Sequence, residues 1–160
     1  MPFNIFKKKD NVKIVSSPMN GEVFPLSKSS DQAHQEEMIG KGALIIPSEG
    51  AVYAPFNGVV EMVFETRHAI GLLSDDGVEL MIHVGFETVE LEGKHYKAHV
   101  QEKQKIKEGD LLLEFDMEGI KADGYKIETP VVVTNTASYQ SIVLLADGKV
   151  KKNEKLLEIK

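Results

Sequence analysis

The sequence predicts a mainly β protein, an antiparallel β-sandwich or distorted barrel with a few short helical turns. Two features of the chain lead to this prediction. Short β-branched runs alternate with Gly, Pro, Asn and Asp, a pattern typical of strands joined by turns. Two segments also recur: Pro18–Val23 resembles Pro55–Val60, and Lys105–Phe115 resembles Lys149–Ile159, a polar turn before an apolar strand. Because equivalent corners of a compact β fold need equivalent turn chemistry, these repeats favour a sandwich or barrel.

The individual strands are predicted from apolar runs that are bounded by turn residues. In chain order they are Val12–Val15, Ala43–Ile46, Gly58–Phe64, Ala69–Leu73, Val78–Val84, Leu111–Phe115, Val131–Val133 and Ile142–Leu145. Helical material is predicted at Gln32–Met38, after Asp31 as the N-cap, and as single turns near Glu118–Ala122 and Ser138–Gln140. We expect the helices to be connectors and the strands to form the core.

Length and composition indicate one domain. The chain has 160 residues, of which 42% are hydrophobic and 28% charged. That is enough apolar material for a single core. We therefore expect one domain over residues 12–160, preceded by a flexible tail over residues 1–11.

Charge, cysteine content and hydropathy exclude several classes of function. The net charge of −6 argues against nucleic-acid binding, and the absence of cysteine excludes disulfides, thiolate metal sites and a cysteine nucleophile. Because the sequence shows neither a secretory leader nor a membrane-spanning run, we expect a cytoplasmic protein. Phe3–Lys9 combines apolar and basic residues, which would allow only peripheral contact with a membrane; we expect a solvated tail.

The most informative segment is a predicted hairpin around Asp76-Gly77, a dipeptide typical of two-residue type I′ turns. With that turn, Ile70 lies opposite His83, and His68 is the diagonal neighbour of His83 at a Cβ separation of about 7 Å. A turn one residue earlier pairs His68 with His83 directly. Either even-numbered loop places both histidines on one face, whereas an odd, bulged loop separates them.

This register also divides the hairpin into two faces. The predicted histidine face is apolar around two imidazoles and one hydroxyl, and it contains Phe64, Thr66, His68, Ile70, Leu72, Met81 and His83. The other face is the predicted core face, with Val78, Leu80, Ile82 and Val84. An apolar surface with reactive groups at its centre is typical of a docking site.

Two neighbouring histidines are compatible with three interpretations. A neutral ring nitrogen of His83 can attack phosphorus, with His68 and Thr66 donating hydrogen bonds to the phosphoryl oxygens. A metal site is an alternative, although an open zinc site needs three protein ligands and the hairpin supplies two. In the third interpretation the two side chains only decorate an exposed sheet. The residues alone leave these interpretations open.

The same segments resemble a known family, the glucose-type enzyme IIA domains of the bacterial phosphoenolpyruvate-dependent sugar phosphotransferase system. The resemblance runs from Val12 to Ile159 and covers nearly the whole chain. Its most specific stretches are Phe64–Ile70, Asp76–Gly85 and Thr88–Gly93, and the closing segments Lys105–Asp116 and Thr129–Asn135 also read like the family. The fold that the resemblance implies is a β-sandwich or distorted barrel of the duplicated hybrid motif type.

The resemblance implies a phosphocarrier that supports sugar uptake with phosphorylation. His83 would accept a phosphoryl group from the small protein HPr and pass it to a sugar-specific EIIB domain, through a phosphohistidine intermediate. His68 would hydrogen-bond the phosphoryl group and Thr66 would support the histidine pair. The family's apolar docking ring corresponds to Phe64, Ile70, Met81 and Val89.

The resemblance also bears on cofactors and other partners. It implies no cofactor and no nucleotide, and the chain contains no Gly-x-x-x-x-Gly-Lys-Ser/Thr loop. No metal is expected, apart from one held by His68 and His83 at a partner interface. Family members also bind regulatory targets, so a mainly regulatory module of the same fold is an alternative function. The resemblance names no sugar, because specificity lies in the EIIB and EIIC partners.

Three further histidines are expected to lie away from the pair. The segment Asp31–His34 is polar where the family is usually apolar, and we expect His34 to be a solvated helix residue rather than a neighbour of the pair. His95 and His99 lie in a charged stretch and are expected on the surface.

Two other protein classes lack their required residues in this sequence. A biotinyl or lipoyl carrier would need a lysine in the hairpin turn, and a related zinc peptidase would need a His-x-His pair. The chain has neither feature there.

Overall fold

The computed structural model describes residues 12–160. The predicted flexible tail, with the solvated segment Phe3–Lys9, lies outside the described residues. Within residues 12–160 the strands, in chain order, are β1 (Lys13–Ser16), β2 (Gly21–Phe24), β3 (Lys41–Pro47), β4 (Ala51–Tyr53), β5 (Gly58–Val63), β6 (Ala69–Ser74), β7 (Glu79–His83), β8 (Tyr96–Ala98), β9 (Lys105–Ile106), β10 (Leu111–Phe115), β11 (Thr129–Val133), β12 (Ile142–Leu144), β13 (Gly148–Val150) and β14 (Lys155–Ile159).

Short helical segments connect the strands. The α-helices are α1 (Gln32–Gln35) and α2 (Met117–Ala122), and 3-10 turns occupy Leu26–Lys28, Thr88–Leu91 and Thr136–Ser138. Asp31 caps α1, since its side chain accepts a hydrogen bond from the His34 amide at 3.3 Å. The helix ends earlier than predicted because Glu37, with a φ of 56°, already has left-handed backbone.

The strands form three open antiparallel sheets. An eight-stranded sheet has the order β13-β2-β3-β11-β7-β6-β5-β9, and two three-stranded sheets have the orders β1-β14-β12 and β4-β10-β8. The predicted mainly β antiparallel class is confirmed, with no closed barrel in the part of the chain that is described. Several strands of four residues or fewer, including β2, β4 and β8, were not predicted because they are too short to show a periodic pattern.

The sequence repeats correspond to a structural duplication. In one copy β2 pairs with β13, and in the other β5 pairs with β9. Asn20 precedes β2 and accepts a hydrogen bond from the Lys152 amide at 2.8 Å; Asn57 precedes β5 and accepts one from the Glu108 amide at 2.9 Å. The repeated turn chemistry therefore holds two equivalent corners of the fold, as the sequence predicted.

The hairpin of β6 and β7 has a different register from either prediction. The Ser74 amide donates a hydrogen bond to the Val78 carbonyl at 2.9 Å, so these two residues close the loop and Asp75 to Gly77 form it. Gly77, the last loop residue, has a φ of 95°. A three-residue loop that ends in a left-handed glycine is the next commonest hairpin after the two-residue turns. As a result Ala69, rather than Ile70 or His68, lies opposite His83.

This one-residue change moves every β6 side chain to the other face. Ile70 pairs with Ile82, and Leu72 with Leu80, and all four are at most 2% exposed in the main core. The prediction that Ile70 and Leu72 lie on the histidine face is therefore wrong, and Ile70 does not belong to an exposed apolar ring. On β7 the prediction is confirmed, since the core row Val78, Leu80, Ile82 and Val84 is buried.

Candidate functional site

His83 is the last residue of β7 and lies partly exposed at the edge of a cavity. Its Nδ1 lies 3.0 Å from the carbonyl oxygen of Gly85. Because a carbonyl only accepts hydrogen bonds, Nδ1 carries the proton and Nε2 keeps a lone pair. Gly85 has a φ of 93°, and a Cβ there would lie 2.4 Å from Cγ2 of Thr88, so glycine is needed to hold the carbonyl in this place.

His68 comes from the bend that precedes β6. Arg67, with a φ of 57°, turns the chain, and the His68 carbonyl accepts a hydrogen bond from the Val84 amide at 2.7 Å. The His68 ring is 2% exposed and meets the His83 ring edge to face, with centroids 4.6 Å apart. The two histidines are therefore adjacent as predicted, but a left-handed bend brings them together and not a shared strand face.

Two neighbours fix the His68 ring. Nδ1 of His68 is hydrogen-bonded to Oγ1 of Thr66 at 2.5 Å. The Phe64 ring packs edge-on against the imidazole, with centroids 5.4 Å apart. Thr66 therefore contacts His68 directly and not His83, and its supporting role stays a prediction.

A third histidine, His34 of α1, belongs to the same site. Its ring centroid lies 6.3 Å from that of His83, and the residue is only 8% exposed. Its Nε2 lies 3.6 Å from the Asp31 carboxylate, while its Nδ1 is buried without a hydrogen-bond partner among the described residues. The expectation of a solvated helix residue is wrong, because α1 packs its His34 side towards β7. The only sequence signal was the unusual polarity of this segment.

The cavity beside His83 has a volume of about 400 Å³. Its apolar walls include Phe64, Met81 and Val89 of the predicted ring, together with residues that the sequence did not single out: Ile39, Phe86 and Pro130. Val89 is 49% exposed, Ile39 is 41% exposed and the adjacent Met38 is 73% exposed. These side chains form an apolar rim around the histidine cluster, and Ile39 takes part in it where Ile70 was expected.

Burial keeps the three imidazoles neutral. Desolvation, together with the proximity of His83, lowers the pKa of His68 to about 4. Desolvation also lowers the pKa of His83, while the hydrogen bond to the Gly85 carbonyl opposes this effect. The pKa of His34 is lowered by desolvation too, but the carboxylates of Asp31 and Glu128 raise it. A neutral His83 with a free Nε2 is suited to act as a nucleophile.

The chain is similar in sequence to known phosphotransferase proteins. Residues 13–139 match the family described as phosphoenolpyruvate-dependent sugar phosphotransferase system, EIIA 1. The chain belongs to this EIIA family. This EIIA domain is thus a component of a sugar phosphotransferase system.

Individual relatives agree with the family. The EIIA domain is 43% identical over 145 residues to a PTS system beta-glucoside-specific EIIBCA component of Halalkalibacterium halodurans, covering 91% of this chain and 23% of that protein. It is 46% identical over 147 residues to a protein with the same description in Bacillus subtilis, covering 92% of this chain and 24% of that protein. The chain therefore spans about a quarter of the length of these curated relatives.

A solved structure has the same fold. Glucose permease IIA from Mycoplasma capricolum superimposes with a TM-score of 0.87 at 28% sequence identity, over 94% of this chain and 97% of the other. The mainly β class, the open sheets and the short connecting helices of the EIIA domain are therefore those of this known structure.

The remaining histidines lie outside the site. Nε2 of His95 is 2.8 Å from the Asp123 carboxylate, which lowers the pKa of that carboxyl, and Nε2 of His99 is 2.6 Å from Glu114. His99 is exposed as expected, whereas the His95 side chain is only 14% exposed.

Over residues 12–160 no group of three or more His, Cys, Asp or Glu side chains is arranged to hold a metal ion. In the same residues no helix has the length and apolarity needed to cross a membrane.

Proposed function

We propose that this EIIA domain carries a phosphoryl group on Nε2 of His83, which it receives from phosphorylated HPr and passes to an EIIB domain. The observation that supports this assignment is the hydrogen bond from Nδ1 of His83 to the Gly85 carbonyl. It commits one ring nitrogen to the protein and leaves the other as the nucleophile. We expect residues 12–160 to act as one domain in the cytoplasm.

The proposed transfer exchanges one phosphorus–nitrogen bond for another. As the bond between phosphorus and the donor imidazole breaks, its electron pair stays on the donor ring. The lone pair on Nε2 of His83 forms the new bond, while Nδ1 keeps its proton and donates it in a hydrogen bond to the Gly85 carbonyl oxygen. Such transfers depend on positioning and on charge stabilisation more than on covalent help from the protein.

His68 has the second role in this proposal. In this proposal the Thr66 hydroxyl donates to Nδ1 of His68, so Nε2 carries the proton of the ring and donates a hydrogen bond to a phosphoryl oxygen. Because His68 is neutral, it can supply that hydrogen bond without adding a charge of its own. We expect the bond to matter most when the phosphoryl group leaves His83.

The partners are proposed from the rim and from the relatives. The exposed apolar side chains Met38, Ile39 and Val89 would be covered by HPr and by the EIIB domain in turn. Both curated relatives are described as beta-glucoside-specific EIIBCA components. The EIIB part of a β-glucoside permease is therefore the first acceptor to test.

The test is phosphoryl transfer from radiolabelled phosphoenolpyruvate in the presence of enzyme I and HPr. We expect a base-stable, acid-labile label on the wild type and on the matched surface variant His99→Gln, and no label on His83→Gln. Proton–nitrogen NMR of the product should place the phosphorus on Nε2. An unlabelled wild type, or equal labelling of His83→Gln, would sink the carrier assignment; partner binding without labelling would favour the purely regulatory alternative.

A further inference from the structure

The cavity that would receive the phosphoryl group is rich in negative charge. Its lining includes the carboxylates of Asp31, Glu87 and Glu128, and among the described residues that line it there is no lysine or arginine. Hydrogen bonds hold two of these carboxylates in place: Glu128 accepts from the Ser30 amide at 3.0 Å, and Asp31 accepts from the His34 amide at 3.3 Å. A phosphoryl group on His83 would therefore face like charges, which disfavour it.

Only histidines can supply a compensating positive charge within this lining. His83 itself carries the phosphoryl group, and His68, which lies outside the lining, is bonded to Thr66 and has no carboxylate partner in the described residues. His34 differs from both. It lies near both the His83 ring and the Asp31 carboxylate, and its buried Nδ1 has no hydrogen-bond partner in the part of the chain that the structure describes.

The distances suit an anion between the two rings. The ring centroids of His34 and His83 are 6.3 Å apart. This is too far for a direct hydrogen bond between the two rings, since a hydrogen bond needs heavy atoms about 3 Å apart. A phosphoryl group on His83 would place a hydrogen-bond acceptor, one of its oxygens, in this gap. A protonated His34 has a donor at each nitrogen, one for the Asp31 carboxylate and one for the phosphoryl oxygen.

We propose that His34 takes up a proton from solvent when His83 is phosphorylated, and that the resulting imidazolium holds the phosphoryl group among the surrounding carboxylates. This inference rests on the proposed function, because it requires phosphorylation of His83. The charged and titratable groups that face His34 are Asp31 of its own cap, Glu128 ahead of β11 and His83 of β7. The only bond that changes on His34 is one N–H bond, which forms with a proton from solvent and breaks again when the phosphoryl group leaves.

The direct test follows His34 in the wild-type domain. Proton–nitrogen NMR of histidine-labelled protein would give the pKa of His34 before and after phosphorylation by phosphoenolpyruvate, enzyme I and HPr, with the phosphorylated fraction measured by mass spectrometry. An anion within hydrogen-bonding distance should raise the pKa of His34 by about 1 or more. A phosphorylated His83 with an unchanged His34 titration would overturn this inference alone, whereas a domain that is not phosphorylated on His83 overturns the proposed function and this inference with it.

A second test uses the phosphoryl exchange constant between HPr and the EIIA domain. The ratio of this constant for the wild type to that for His34→Gln should rise severalfold, by about threefold or more, between pH 8 and pH 6, because only the wild type gains a proton with the phosphoryl group. Since both proteins exchange with the same HPr, the titration of HPr cancels. For His99→Gln, whose ring contacts Glu114 outside the cavity, the constant should match that of the wild type at every pH. A pH-independent ratio for His34→Gln would contradict the role of His34.

Discussion

The rings of His68 and His83 meet edge to face with centroids 4.6 Å apart, although the strand register pairs His83 with Ala69. The contact exists because His68 lies outside β6, after the turn in which the Arg67 amide bonds to the Phe64 carbonyl at 2.7 Å. A residue in a regular strand at this position would point to the opposite face. The bend, and not the hairpin, therefore builds the histidine pair.

This geometry predicts that the two histidines are not interchangeable. For His68→Gln we expect labelling by HPr to persist, because His83 and its tautomer are intact, and onward transfer to EIIB to fall by about a hundredfold, because a charge-stabilising hydrogen bond is lost. Rapid-quench transfer to a matched EIIB domain measures the rate. Onward transfer at the wild-type rate would remove the role assigned to His68.

The lowered pKa of His68 predicts acid sensitivity. A histidine with a pKa of 6.5 when unfolded and about 4 when folded is neutral in both states above pH 6.5. Between these values the unfolded chain binds more protons, so the free energy of unfolding falls as the pH drops, by about 3 kcal/mol in total. Urea unfolding at pH 7.5 and 4.5 should therefore show a larger loss for the wild type than for His68→Gln.

The difference between these two proteins isolates the histidine, because the carboxylates that titrate in the same range are common to both. We expect the wild type to lose about 2 kcal/mol more than His68→Gln between the two pH values. Equal losses would mean that His68 is not buried as a neutral ring.

The backbone conformation at Gly85 predicts that one added methyl group strongly lowers the free energy of unfolding. In Gly85→Ala the new Cβ would lie 2.4 Å from Cγ2 of Thr88, a residue that is 0% exposed, and 3.0 Å from the Lys126 carbonyl oxygen. We expect a loss of about 3 kcal/mol in the free energy of unfolding, together with slower labelling, because the carbonyl that holds His83 moves.

Gly77→Ala is a matched control for that experiment. Gly77 has a similar φ of 95°, but an added Cβ would meet nothing within 4 Å. Only the left-handed backbone conformation is then unfavourable, so we expect a loss of about 1 kcal/mol and normal labelling. Equal losses in the two variants would show that the contact with Thr88 has no effect on stability.

The apolar rim predicts a binding defect without a folding defect. Val89 is 49% exposed beside His83, and Val143 is 46% exposed on β12, away from the cavity. For Val89→Asp we expect the KM for phosphorylated HPr to rise about tenfold, with kcat and stability nearly unchanged. The same substitution at Val143 should leave both kinetic constants at their wild-type values. An equal rise in KM for the two variants would mean that docking does not use this rim.

Most of the strands were predictable because their signals are local. The run from Leu111 to Phe115, for example, coincides with β10, since a short β-branched or aliphatic run between turn residues has few alternatives. The hairpin register was not predictable with the same accuracy. Two-residue and three-residue loops both suit Asp75-Asp76-Gly77. The loop length determines whether Ile70 lies on the histidine face or on the core face of the hairpin.

The sequence by itself determined the β class, the duplicated corners and the identity of His68 and His83 as the chemically informative residues, because turn chemistry and residue type are written locally. Only the tertiary structure decided which side chains surround them. The packing of α1 buries His34 beside His83. The bend at Arg67 directs the His68 side chain towards His83, and the length of the hairpin loop places Ile70 in the core. Each of these outcomes depends on contacts between distant segments, which a local pattern does not encode.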